Sequence, residues 1–213
     1  MSTFSEVDES CSVCGKQSSQ TVIMSTNTFG SSDLDLRPPE MRRSTMSFWV
    51  QECPHCGYVA PKLSMGTNAT EEWLKNTAYL SCDGRNFISS LAKEFYKLYL
   101  IDILDGKTKP AFNAVLNCAW ACDDARDTLN AIYCREKALE VLTNYNLESE
   151  ENETLLVMRA DLLRRSGRFD EVIKDYKDRT FSQDILNKVI AFQVERAKQK
   201  DVACYTVADA VGK

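Results

Sequence analysis

The sequence predicts an α+β chain that is mostly α, with a small strand-and-loop region at the N-terminus followed by antiparallel helical hairpins. Two observations predict this. The first is a pair of cysteine hooks, Cys11-Ser-Val-Cys14-Gly15 and Cys53-Pro-His-Cys56-Gly57. The second is a change of character near residue 66. Beyond it prolines vanish apart from Pro110, and apolar residues recur at steps of three and four.

The hooks organise residues 1–65. Two thiolates at C-x-x-C spacing grip one ion from a single tight turn, and the glycine that follows each pair permits positive φ there. Two hooks supply four soft ligands, enough to close a tetrahedral zinc site. Cys11, Cys14, Cys53 and Cys56 are therefore read as the ligands of one structural Zn²⁺ per chain, with no position left open for substrate. Thr21-Val22-Ile23-Met24 and Ser47-Phe48-Trp49-Val50-Gln51 favour strands, the second leading into Cys53. Between them, Gly30 to Pro39 is rich in turn formers and excludes a strand interior. Strands joining two knuckles at one metal describe a zinc ribbon.

Residues 66–213 read as the helical domain. Asn68 or Thr70 can cap a helix beginning at Glu71. Phe87, Leu91, Phe95, Leu98 and Ile101 form one apolar face, and Asp105-Gly106 ends that helix. Further helical patterns cover 110–123, 126–145, 152–166, 169–179 and 183–200, with breaks at Asp123-Asp124, Asn146 to Glu153, Gly167 and Arg179-Thr180. The short breaks imply antiparallel pairs. Small residues at Ala119, Ala131 and Ala138 sit at offsets like those of a tetratricopeptide repeat, and Ala160, Gly167, Phe169 and Tyr176 fall at matching offsets in a second helix pair. Val172 and Arg179 stand where that pattern has alanine, so stacked hairpins are expected rather than a regular repeat.

A net charge of −5 argues against broad binding to phosphate backbones. Up to residue 60, Lys16, Arg37, Arg42 and Arg43 face seven acidic residues. The polar, acidic start lacks a signal peptide's pattern, and no apolar run is long enough for a bilayer. The expectation is a cytoplasmic protein without membrane contact. Nine cysteines, an odd count in a reducing compartment, are expected as thiols.

Other polar and thiol groups have a bland and a sharp reading. A thioredoxin-type dithiol needs a helix at its second cysteine, whereas glycine follows here. The single histidine, His55, lies inside a hook and is expected to face solvent. Without a nucleophile elbow, phosphate loop or dinucleotide fingerprint, no catalytic residue and no organic cofactor is assigned. Cys118 and Cys122 are one helical turn apart, and Cys134 can lie on the partner helix. A second metal site is conceivable, but small core residues are the preferred reading, as for Cys82 and Cys204. Asp33, Asp35 and Arg37 alternate along an extended segment and could converge on a ligand. The preferred reading is that they tie down a long loop by turn hydrogen bonds and an internal ion pair.

The stretches Asp33-Leu-Asp-Leu-Arg37-Pro and Phe48-Trp-Val-Gln-Glu-Cys53-Pro-His-Cys56-Gly57-Tyr58-Val-Ala60 resemble a bacterial zinc-ribbon family catalogued as domain of unknown function 2225. The order of hook, loop, strand, hook and helices is matched over most of the chain. The region between Ala60 and the first long helix is shorter here, and the second repeat is weaker. The resemblance implies a bacterial cytosolic protein with structural zinc and carries no activity. The function expected is a non-enzymatic interaction module whose helical hairpins bind a protein or peptide. One alternative is a nucleic-acid-associated regulator, which would need a basic face from Arg37, Arg42 and Arg43. A thiol redox sensor that releases zinc is the other.

Overall fold

The computed structural model describes residues 1–147, 149 and 152–212. Its contacts form two compact units, Met1–Thr28 with Glu40–Cys134, and Phe29–Pro39 with Arg135–Lys213. Compactness thus groups the chain differently from composition, which changes at residue 66.

In the first unit, β1 (Thr3–Ser10) pairs antiparallel with β2 (Gln17–Ser25). The acidic β1 holds its register through cross-strand bonds, in which Ser19 and Thr21 hydroxyls donate to the Glu6 carboxylate at 3.1 and 2.5 Å. The last pair, Ser10 with Gln17, leaves the first hook as the connecting turn. A second, two-residue ladder pairs β3 (Gln51–Glu52) with β4 (Val59–Ala60) around the second hook.

The strand expected over 47–51 is mostly something else. A 3-10 helix spans Arg43–Phe48, and only Gln51 joins a ladder. The cause is local turn chemistry. The Thr45 hydroxyl donates to the Arg42 carbonyl at 2.8 Å and accepts from Trp49 Nε1 at 3.0 Å. Phe48 then packs its ring 4.6 Å from Phe4. These contacts outweigh an aromatic strand propensity, which is context-dependent.

The helix expected from Glu71 divides into a 3-10 turn, Trp73–Lys75, and a short α1 (Thr77–Ser81). Thr70 Oγ1 accepts from the Trp73 amide at 3.1 Å, and Asn76 caps α1 by accepting from the Tyr79 amide at 2.8 Å. Ser89 caps α2 (Ser90–Leu104), so Phe87 precedes the helix, while Phe95, Leu98 and Ile101 are buried as the periodicity required. Gly106, at φ 69°, ends it. α3 (Thr108–Asp124) packs along α2, burying Ala111, Ala114, Cys118, Ala119 and Cys122, small side chains that permit close approach. α4 (Thr128–Leu142) starts after Asp127, whose carboxylate accepts from the amides of Asn130 and Ile88 at 3.4 and 3.1 Å.

The second unit contains α5 (Glu153–Arg165), α6 (Phe169–Tyr176), α7 (Asp184–Lys198) and α8 (Val207–Val211). The α5–α6 turn places Gly167 at φ 78°, and α7 packs on both helices. Ala119, Ala131, Ala138 and Ala160 are all at most 1 % exposed, as tetratricopeptide-like offsets require. The fold is therefore an N-terminal β-hairpin region followed by helices packed as tetratricopeptide-like repeats. Arg164, fully buried, is satisfied by Asp161 at 2.8 Å, Gln193 at 2.5 Å and the Asp201 carbonyl at 2.7 Å. No described helix is long and apolar enough to cross a membrane.

Candidate metal centre

The two hooks fold identically in their backbone hydrogen bonds. In the first, the Cys11 amide donates to the Lys16 carbonyl at 3.0 Å and the Gly15 amide to the Cys11 carbonyl at 2.9 Å. In the second, Cys53 donates to Tyr58 at 2.8 Å and Gly57 to Cys53 at 2.9 Å. Gly15 and Gly57 take φ 70° and 73°, the left-handed region in which a side chain would strain the turn. Each turn also aims amides at sulfur. Lys16 N–H faces the Cys14 thiol and holds it below its ordinary range. Tyr58 N–H faces Cys56 at the equivalent position, where burial nevertheless pushes the thiol upward. Burial raises Cys11 too, against the amides of Val13 and Cys14.

The hooks meet crosswise. Cys11 Sγ lies 3.7 Å from Cys56 Sγ, and Cys14 Sγ lies 3.7 Å from Cys53 Sγ. All four sulfurs fall within 4.8 Å of one another. A zinc–sulfur bond of about 2.3 Å in tetrahedral geometry places its sulfurs about 3.8 Å apart. The donor set therefore fits one tetrahedral thiophilic ion. Cys11 and Cys53 are buried, while Cys14 and Cys56 are partly exposed.

The shell around the hooks is well anchored. Ser12 donates to Leu63 O at 2.9 Å, and Tyr58 Oη to Met65 O at 3.0 Å. Tyr79, 1 % exposed, donates its hydroxyl to the Gly57 carbonyl at 2.6 Å. Lys97 on α2 pairs with Glu52, the residue before Cys53, at 2.6 Å. These side chains fix the second hook from α1 and α2, and no sequence pattern announced them. His55 is exposed, with Nε2 3.2 Å from the Gln17 carbonyl oxygen and away from the sulfurs' coordination.

Asp33, Asp35 and Arg37 are buried, with Asp35 fully inaccessible. Asp35 Oδ1 accepts from the Arg37 amide at 3.3 Å, closing a local turn. Its Oδ2 accepts from Arg165 Nη1 at 3.0 Å, a partner 130 residues away that the sequence did not indicate. Asp33 forms a bridge with Thr206, and Leu34 N–H donates to Tyr205 O at 2.9 Å. Cys204 Sγ donates to Asp33 Oδ2 at 3.4 Å. The segment is thus stitched to α5 and to the strand-like residues before α8. Leu36, between Asp35 and Arg37, has φ 65°, unusual for a bulky residue.

The structure also gathers Cys118, Cys122 and Cys134, all buried, with sulfurs within 4.8 Å of one another. Searches among curated proteins and among solved structures each find no match. A family model described as an uncharacterized protein conserved in bacteria (DUF2225) matches residues 4–202, so the chain belongs to that family.

Proposed function

We propose that this is a cytoplasmic, non-enzymatic interaction protein whose N-terminal ribbon, residues 1–65, is held by one structural zinc at Cys11, Cys14, Cys53 and Cys56. The observation that carries the metal assignment is the crosswise pairing of two equivalent hooks at the sulfur spacing of a tetrathiolate. Four thiolates fill a tetrahedral ion, which supports a structural rather than a catalytic metal.

The interaction surface lies in the helical residues 66–213 with the loop around Leu36. A crease of about 170 Å³ is lined by Leu34, Leu36, Val157, Ile185, Leu186 and Val189. Leu36 and Ile185 are each 45 % exposed. Holding a leucine at positive φ costs about 1–2 kcal/mol, and such strain accumulates at working surfaces. Here it keeps an apolar side chain at the mouth of the crease. An apolar segment of a protein or peptide fits this lining, and the chain's acidic balance would favour basic flanks.

The nucleic-acid alternative is weakened by Arg37, which is only 6 % exposed and leaves Arg42 and Arg43 to form any basic face. Two measurements test the proposal. Elemental analysis should give one zinc per chain, lost in Cys53→Ser. Affinity capture should recover a protein that Leu36→Asp with Ile185→Asp no longer retains, at unchanged zinc content and helicity. Capture of nucleic acid alone, abolished by nuclease, would refute the interaction reading.

A further inference from the structure

We propose that Cys118, Cys122 and Cys134 form a second, buried site that takes a soft trivalent ion of the arsenic(III) class. α3 supplies Cys118 and Cys122 one turn apart, and α4 supplies Cys134 against them. All three residues are 0 % exposed. Cys134 Sγ lies 3.2 Å from Cys118 Sγ, and the three sulfurs span no more than 4.8 Å. Bonds of about 2.3 Å to a three-coordinate ion place sulfurs roughly 3.5–4 Å apart, so sulfurs that already lie within 4.8 Å of one another reach that spacing by shifts of at most about an ångström.

Charge selects the ion. Among the described residues, no histidine or carboxylate joins this cluster as a fourth ligand. Hydrogen bonds from the Cys118 and Cys134 thiols lower Cys122, so the cluster favours one thiolate, while burial and the carboxylates of Asp127 and Asp123 oppose further negative charge there. Zinc on three thiolates would leave one negative charge, and copper(I) would leave two. Burying such charge beside two carboxylates is costly. A trivalent ion on three thiolates is neutral, and its lone pair needs no fourth ligand.

The chemistry balances without an oxidant. Arsenous acid, As(OH)₃, meets three thiols. Three As–O bonds and three S–H bonds break, three As–S bonds form, and three waters leave. Arsenic stays trivalent and each sulfur keeps its oxidation state. Because the thiols are inaccessible in the folded chain, the ion enters through local opening of the helical packing. The binding rate should therefore become independent of arsenite concentration once opening limits it.

The test uses the full, reduced chain with zinc already bound, so that the hook cysteines are occupied, and inorganic arsenite as probe. Native mass spectrometry should show one added arsenic less three hydrogens, with zinc retained. X-ray absorption should show three sulfurs at one distance. Cys134→Ala and, separately, Cys122→Ser should weaken binding roughly 10²-fold or more, the loss of one intramolecular ligand. Cys82→Ala removes a buried thiol outside the cluster and should bind as the wild type does. Because one substitution acts on α3 and the other on α4, a folding failure in one leaves the other informative. The absorption measurement needs neither variant. Absence of arsenic binding, loss of zinc upon binding, or equal binding by Cys134→Ala would each overturn the proposal.

Discussion

Removing the Asp35 carboxylate should cost the second unit far more stability than any surface ion pair. The side chains of Asp35 and Arg165 are 0 % and 8 % exposed, and their charged atoms meet at 3.0 Å. Asp35→Ala removes the acceptor of Arg165 Nη1 from a buried guanidinium. Breaking one side of a buried pair costs about 3–5 kcal/mol, because the remaining charge keeps its desolvation penalty. The Arg37 amide also loses its acceptor at 3.3 Å, adding up to about 1 kcal/mol. For a unit of about 90 residues, each kcal/mol shifts the midpoint by about 4–8 °C, so a fall on the order of 20 °C is expected. The assay is thermal and urea unfolding of the full chain, followed by a double-mutant cycle with Asp35→Leu and Arg165→Met. The double variant should recover most of the loss, since well-packed apolar groups replace a buried pair with little penalty. A single-variant loss below about 1 kcal/mol, the range of exposed pairs, would refute the reasoning. So would additivity of the two substitutions.

Cys53→Ser should abolish zinc retention and unfold both hooks, because a structural site contributes roughly 10–16 kcal/mol of apparent binding energy to folding. Tyr79 and Lys97 should gain mobility with it, while α5–α8 keep their circular dichroism; one bound zinc per chain in the variant would contradict this. Ala138→Leu, at a 0 % exposed position, should overpack its surroundings by about 1–3 kcal/mol, read by chemical denaturation. Asp102 is 6 % exposed, and burial, helped by Asp105 and opposed by Lys107, raises its carboxyl from 3.8 to about 6. A raised folded-state value favours folding below the unfolded value, and that advantage is lost as pH climbs through about 6. Asp102→Asn should therefore stabilise the chain by about 1–3 kcal/mol well above pH 6 and by nothing well below pH 3.8, as denaturation on either side of that range will show.

Local grammar was legible because it depends on neighbours in sequence. Cys-x-x-Cys-Gly encodes its own turn, and both hooks adopted the same hydrogen bonds. Apolar periodicity located α2 to α7 within a few residues, since a 3.6-residue repeat constrains a long segment regardless of its partners. The reading failed where short segments had competing options. Residues 47–51 carry strand-forming side chains, but Thr45 closes a turn around Trp49. α8 is too short for periodicity to reveal and is announced only by its capping box, Thr206 with Asp209.

By itself, the sequence determined the hooks, the helices and the small residues that must be buried. Tertiary structure alone decided that Cys11 faces Cys56 and Cys14 faces Cys53, that Asp35 meets Arg165, and that the sulfurs of three cysteines on two helices come within 4.8 Å of one another. The physical reason is range. Turn and helix propensities act over a few residues, whereas these pairings arise when packed apolar faces bring distant segments together, and spacing along the chain does not encode which side chains then meet.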